Sequence, residues 1–242
     1  MFSFIKGFLD GFSGFALLLR PGVKKFVVIP FVINIVLFYF GSTLLFAEFE
    51  GWLQQLMPEW LSWLNWLIEI LFGIVLAIVV YYSFTVVANL ISAPFNSILS
   101  ARIEAMLTGQ KPVDINSDRF FKLIARTLTS ETKKIIYAIK WFIPLLIITI
   151  IPGVNVVSPF LWILFAAWFF ALEYSDYPLA NRGLFFDEVK EYNRNNRMRS
   201  LGLGTAVFVM TSIPVLNFFA MPVSVAAATK MLTKTGLPEA SA

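Results

Sequence analysis

The chain has 242 residues, 58% of them hydrophobic and only 14% charged, with a mean hydropathy of +0.77. That composition belongs to an integral membrane protein rather than a soluble one. Cysteine and histidine are both absent, which excludes disulfides, thiolate metal sites, zincin motifs and His-based triads. The net charge of +4 fits cytoplasmic loops and not a nucleic-acid partner. No GxxxxGK[ST] phosphate loop occurs, so nucleotide hydrolysis by that route is not expected, and no cofactor is implied.

Residues 1–19 put Phe4, Phe8, Phe12 and Phe15 on one helical face and Lys6 and Asp10 on another. Gly7, Gly11 and Gly14 line a strip beside them. This predicts a helix lying in the membrane interface, with its glycine strip free to pack closely on another helix.

The stretch "RPGVKK", residues 20–25, then sets Arg20, Lys24 and Lys25 against an uncharged run. Cations at a helix N-terminus oppose the helix dipole slightly, so their position needs a reason. Positive-inside anchoring is one. An anion held by the backbone N–H groups of Gly22, Val23, Lys24 and Lys25 is the other, since those groups lack intrahelical partners and Gly22 has no side chain in the way.

Four runs contain no Asp, Glu, Lys or Arg: 26–47, 70–101, 141–172 and 200–229. Each exceeds the roughly 20 residues a helix needs to cross the hydrocarbon core. Residues 26–47 predict one transmembrane helix, with Pro30 in its opening turns. A second is predicted over about 66–107, bending near Pro94. Between them, residues 48–69 hold Glu48, Glu50, Glu59 and Glu69, no cation, and Trp52, Trp60, Trp63 and Trp66. Every Lys and Arg lies outside 26–101, so this segment is expected outside and its flanks in the cytoplasm, with both termini there too.

Arg102 and Glu104 follow on the helix leaving "APFN". They read either as a gate or selectivity pair or as a solvated helix end. Residues 109–117 form a turn before a basic amphipathic helix over 118–140. This helix carries Arg119, Lys122, Arg126, Lys133, Lys134 and Lys140 among Phe121, Ile124, Leu128 and Ile135.

The last two runs are interrupted, by "PGVNVVSP" and by "PVLNFFAMP". Both contain Ile-Pro-x-x-Asn followed by another proline, a weak internal repeat. Two prolines and an asparagine in a turn-sized stretch point to a reversal. Arms of roughly 11 to 15 residues are short of a crossing. A single crossing would also move Arg182, Lys190, Arg194, Arg197 and Arg199 outside. Two re-entrant helical hairpins, 141–172 and 200–229, are therefore expected; ordinary Pro-kinked spans are the alternative. Asn155 and Asn217 would stand at the tips and line a watery cavity. Residues 182–199 read as a solvated cytoplasmic segment, and Asp176 as a cap or turn former.

Taken together, "RPGVKKFVVIPFVINIVL" (20–37), "ANLISAPFNSILSARIEAMLTG" (88–109), "YSDYPLANRG" (174–183) and "SIPVLNFFAMPVSVAAAT" (212–229) resemble the CysZ family of bacterial inner-membrane sulfate permeases. The eukaryotic etoposide-induced membrane proteins are relatives of that family. The resemblance implies an all-α membrane domain with two long transmembrane helices and two half-penetrating hairpins. It further implies a homo-oligomer that takes up sulfate for cysteine synthesis without an ATPase subunit and is inhibited by sulfite. The family's sulfate loop reads Pro-Gly-apolar-Arg-Arg. Here it is Pro21-Gly22-Val23-Lys24-Lys25, which keeps both charges and gives up bidentate geometry.

Two other classes compete with transport. A membrane scaffold without transport of its own is one. An intramembrane enzyme is the other, and without His or Cys it would depend on carboxylates such as Glu104, Glu173 and Asp176.

Overall fold

The computed structural model describes residues 2–56, 63–109 and 117–236, with side chains given outside 46–47, 49–50, 52–56, 65, 76, 79–91 and 117–128. In chain order these residues form α1 (Phe2–Phe12), α2 (Gly14–Leu18), α3 (Lys25–Leu56), α4 (Asn65–Thr108) and α5 (Ser117–Ile150). Then come α6 (Ser158–Ala180), α7 (Phe186–Asn195), α8 (Arg197–Ser212) and α9 (Pro214–Thr235). The described elements are all helical, and the chain divides into two compact units. One is residues 25–95; the other combines residues 1–24 with 96–242.

The first unit holds α3 and most of α4. With 32 residues, α3 is about 48 Å long and outruns a hydrocarbon core of about 30 Å. Its side chains Val28, Phe31, Val32, Ile35 and Phe38 are exposed, a surface that lipid solvates and water does not. The expected span 26–47 starts where predicted and continues to Leu56, because residues 48–56 contain no proline and the single Gly51 is tolerated. Pro94 does not end α4, which runs on to Thr108. Trp63 and Trp66 are exposed at the near end of α4. Trp60 lies outside the described residues, as does the side chain of Trp52.

The core of the second unit is made by α6, α8 and α9, through Ala171 and Leu172, Leu203 and Met210, and Val223 and Met231. Small residues let the backbones touch. A Cβ on Gly204 would stand 1.7 Å from the Ala167 carbonyl oxygen. The predicted glycine strip does this work on α1 and α2. Cβ atoms on Gly7 and Gly14 would stand 2.0 and 2.1 Å from the carbonyl oxygens of Arg199 and Val223. Close backbone contact of this kind supplies the van der Waals attraction that replaces hydrophobic association in lipid.

Both interrupted runs break where prolines were expected to break them. Residues 151–157 separate α5 from α6, with a 3₁₀ turn at Asn155–Val157. The two helices then run antiparallel, because partners nearer the turn on one lie nearer it on the other. Trp162 Nε1 donates to Thr149 Oγ1 at 3.0 Å, and Trp168 Nε1 to the Tyr137 hydroxyl at 3.2 Å. The second break is tighter. Pro214 forces Ile213 into an extended conformation (φ −104°, ψ 114°), and α9 starts at once.

Four expectations are corrected. Residues 118–140 and the first hairpin arm are one helix, α5, since nothing between Lys140 and Trp141 breaks it. Pro222 lies inside α9 and makes no reversal, so Asn217 sits in the first turn of α9, past the tip. The arms are longer than 11 to 15 residues because the helices continue into the charged flanks. Among the described residues Lys25–Leu45, Asn155–Ala180 and Pro214–Thr235 are each long and apolar enough to cross a membrane. Residues 182–199 are not simply solvated, because α7 buries Phe186, Val189, Tyr192 and Asn193.

Candidate functional site

The loop joining α2 to α3 is a turn in which the Val23 N–H donates to the Arg20 carbonyl at 3.3 Å. Val23 is fully buried and pins the loop, while Arg20, Pro21, Gly22, Lys24 and Lys25 are exposed. Gly22 takes φ +84°, a left-handed conformation that side chains resist. Its N–H and that of Lys24 have no backbone acceptor among the described residues. Of the four N–H groups expected to face an anion, Val23's is thus spent on the turn. Lys25 opens α3, with its ammonium 5.1 Å from the Phe26 ring centroid.

Other cations gather at this end of the second unit. Arg102, on the last turns of α4, brings Nη2 to 3.8 Å from where a Gly22 Cβ would be. From α9, Lys230 lies within electrostatic reach of Arg20, Lys234 and Asp10. Asp10 is committed elsewhere: Arg199 donates to it at 2.6 Å, and Lys234 stands 3.9 Å away.

Glu104 is paired across the fold. Arg182 Nε donates to its carboxylate at 3.0 Å, and Nη2 makes a second short contact. Nearby, Ser97 Oγ donates to Asn181 Oδ1 at 2.6 Å, and Asn181 Nδ2 returns a bond to the Ser97 carbonyl at 2.9 Å. Ser100 and Thr229 hydroxyls meet at 2.8 Å. These polar pairs fasten the end of α4 to α6 and α9.

Asn155 and Asn217 are exposed at the opposite end. The length of α6, 23 residues or about 34 Å, separates Asn155 from the Arg182 region. The predicted residues therefore fall into two groups. Arg20, Gly22, Lys24 and Arg102 come together at a basic end, and the two asparagines belong to the apolar turns.

Sequence reasoning missed a buried charge cluster. Lys134, only 8% exposed, puts Nζ 2.9 Å from Glu131, 2.9 Å from Glu173 and 3.0 Å from Asp176. Burial on its own would lower the Lys134 pKa; the charges of Asp176, Glu173 and Glu131 outweigh it and raise the pKa, so the ammonium stays charged. Asp176 is thus neither cap nor turn former, but a helix-to-helix ion-pair partner. Ile135, one of the apolar residues of the basic amphipathic helix, is exposed. In lipid the apolar side faces out, and the polar side must find protein partners. The three-residue spacings Glu131–Lys134 and Glu173–Asp176 were the available signal, since each puts two charges on one helix face. The side chains of Arg119, Lys122, Arg126, Phe121, Ile124 and Leu128 lie outside those described. Lys133 is exposed and paired with Asp187 at 2.5 Å, and its hydrogen bond holds that carboxyl below the usual range.

A helical membrane protein with a basic loop at the head of a long apolar helix is the class these features define. The family model described as Sulfate transporter CysZ/Etoposide-induced protein 2.4 matches residues 11–222. Over 221 residues the chain is 39% identical to a protein named Sulfate transporter CysZ from Pseudomonas syringae pv. tomato (strain ATCC BAA-871 / DC3000). That alignment covers 90% of this chain and 87% of the relative. The chain belongs to the CysZ/etoposide-induced protein family, which is a family of transporters and not of enzymes.

Proposed function

We propose that this protein is a sulfate permease or channel of the bacterial inner membrane, carrying sulfate inward for cysteine biosynthesis without ATP hydrolysis. The observation that carries the reading is the 39% identity, sustained over 90% of the chain, to a protein named for sulfate transport. The basic loop supports it. Sulfate would be bound by the free N–H groups of Gly22 and Lys24 and the helix-opening N–H of Lys25, with Arg20, Lys24 and Lys25 as the counter-charges. Sulfite, with the same charge and a similar shape, would compete there. A non-transporting scaffold would need these cations only for positive-inside anchoring.

In this reading α5–α6 and α8–α9 are hairpins dipping into the bilayer from the cytoplasmic side, and Asn155 and Asn217 lie near their deep ends. Two transmembrane helices cannot seal such hairpins from lipid, so the working form is a homo-oligomer in which neighbouring subunits complete the wall.

Two experiments test this. Purified protein in nanodiscs of neutral lipid is expected to bind radiolabelled sulfate saturably, and unlabelled sulfate and sulfite should displace it better than chloride does. An absence of saturable binding contradicts the site. For topology, single cysteines are placed at Glu48, Lys140 and Arg194 of this cysteine-free chain, all three exposed. A membrane-impermeant maleimide should label the first from outside and the other two only from the cytoplasm. External labelling at Arg194 would mean that α5–α6 does not return, and the hairpin arrangement would fall.

A further inference from the structure

We propose that Arg102 is an anion-contacting, specificity-determining residue of the loop site, supplying a planar guanidinium that the loop's two lysines cannot. The proposal rests on the sulfate reading of that loop. Its structural basis is a set of like charges that form no ion pair among the described residues. Arg20, Lys24, Arg102 and Lys230 collect around the loop, whereas the nearby carboxylates are occupied, Asp10 by Arg199 and Glu104 by Arg182. Arg102 is exposed and makes no hydrogen bond or ion pair among the described residues, although a carboxylate stands two positions along the same helix. Its guanidinium instead faces bare backbone. Nη2 lies 3.8 Å from the site of an absent Gly22 Cβ, so a side chain at residue 22 would fill the gap between the guanidinium and the loop.

A tetrahedral oxyanion suits that gap. The guanidinium fork can donate two parallel N–H bonds to two of its oxygens, while the Gly22 and Lys24 N–H groups take another. An ammonium is a point charge and does not distinguish shapes in this way. Arg102 is therefore expected to favour sulfate over chloride, while Lys24 and Lys25 attract any anion. Free sulfate and the phosphate of a lipid headgroup share this chemistry, and the test separates them.

Sulfate and chloride affinities are measured in neutral-lipid nanodiscs for the wild type, Arg102→Gln, Arg102→Lys and the pair Lys24→Gln with Lys25→Gln. Arg102→Gln should weaken sulfate binding at least tenfold and chloride binding less than threefold; Arg102→Lys should recover less than half of the sulfate loss on a logarithmic scale. The lysine pair should weaken both anions alike. On the wild type, sulfate should protect Arg102 from phenylglyoxal, read by peptide mass spectrometry, and this readout does not depend on any variant folding. If Arg102→Gln binds sulfate as the wild type does while the lysine variant does not, or if sulfate gives no protection, the inference fails and the loop site stands. If Arg102→Gln leaves sulfate untouched but loses bound phosphatidylglycerol from mixed-lipid nanodiscs, the guanidinium serves a lipid and the inference is wrong. A wild type with no saturable sulfate binding overturns both readings together.

Discussion

Replacing Lys24 and Lys25 together by glutamine is expected to weaken sulfate binding more than tenfold, a loss of about 1.4 kcal/mol or more. Both lysines are exposed beside a glycine whose backbone N–H is unclaimed, so their removal costs the fold little and the anion much. The pair also lies on the positive side of the first long helix, where it would help set orientation. The two roles separate experimentally: binding is compared only in molecules whose orientation has been verified by labelling, and insertion is scored on its own. Anchoring alone predicts a scrambled orientation with unchanged affinity in the correctly inserted fraction. Unchanged affinity there would reduce the lysines to a flank and remove them from the site.

Lys134→Met should destabilise the protein by about 3 kcal/mol. The ammonium is 8% exposed and holds three carboxylates, and the Asp176 side chain is only 16% exposed. Removing the cation strands the Asp176 carboxyl between α5 and α6, where it must take up a proton or stay charged without a partner. Glu131 and Glu173 are nearly half exposed, and water takes over much of their loss, which keeps the figure at the low end for a broken buried pair. Thermal unfolding in mild detergent measures the effect. Adding Asp176→Asn to the Lys134→Met protein should restore part of the stability, because the stranded acid is then replaced by a neutral amide. No change in the single variant would mean that the cluster is solvated and does not tie the two helices.

What a sequence can disclose about this protein follows from the range of the interaction concerned. The break before α6 and the break at Ile213 were legible because proline acts on its own residue and the one before it. The glycine strip of α1 and α2 was legible because periodicity alone places Gly7, Gly11 and Gly14 side by side. The basic loop was legible from charge set against an uncharged run. The Lys134 cluster was not, because two of its three carboxylates come from a helix 39 and 42 residues away. The pair between Arg199 and Asp10 spans 189 residues and has no local signature at all. Pro222 misled for a different reason. It has the residue type of a turn, but α9 tolerates it and continues, since a helix held by neighbours on several faces survives one missing hydrogen bond. Asn217 was assigned to the tip by the same reasoning and sits in the helix instead.

Arg102 and Glu104 show how a correct neighbourhood can still conceal roles. The sequence placed both on the helix leaving Pro94, and both are there. Only the structure separates them, giving Glu104 to Arg182 and leaving Arg102 beside Gly22.

The most direct test of the central claim is transport by the protein alone. Proteoliposomes containing only the purified chain in neutral lipid, loaded with sulfate-free buffer, are given radiolabelled sulfate with no nucleotide present. The account predicts saturable accumulation that sulfite inhibits and that falls in the Lys24→Gln, Lys25→Gln protein, with empty liposomes giving none. Uptake no greater than in empty liposomes, from protein shown to be folded and correctly inserted, would contradict it.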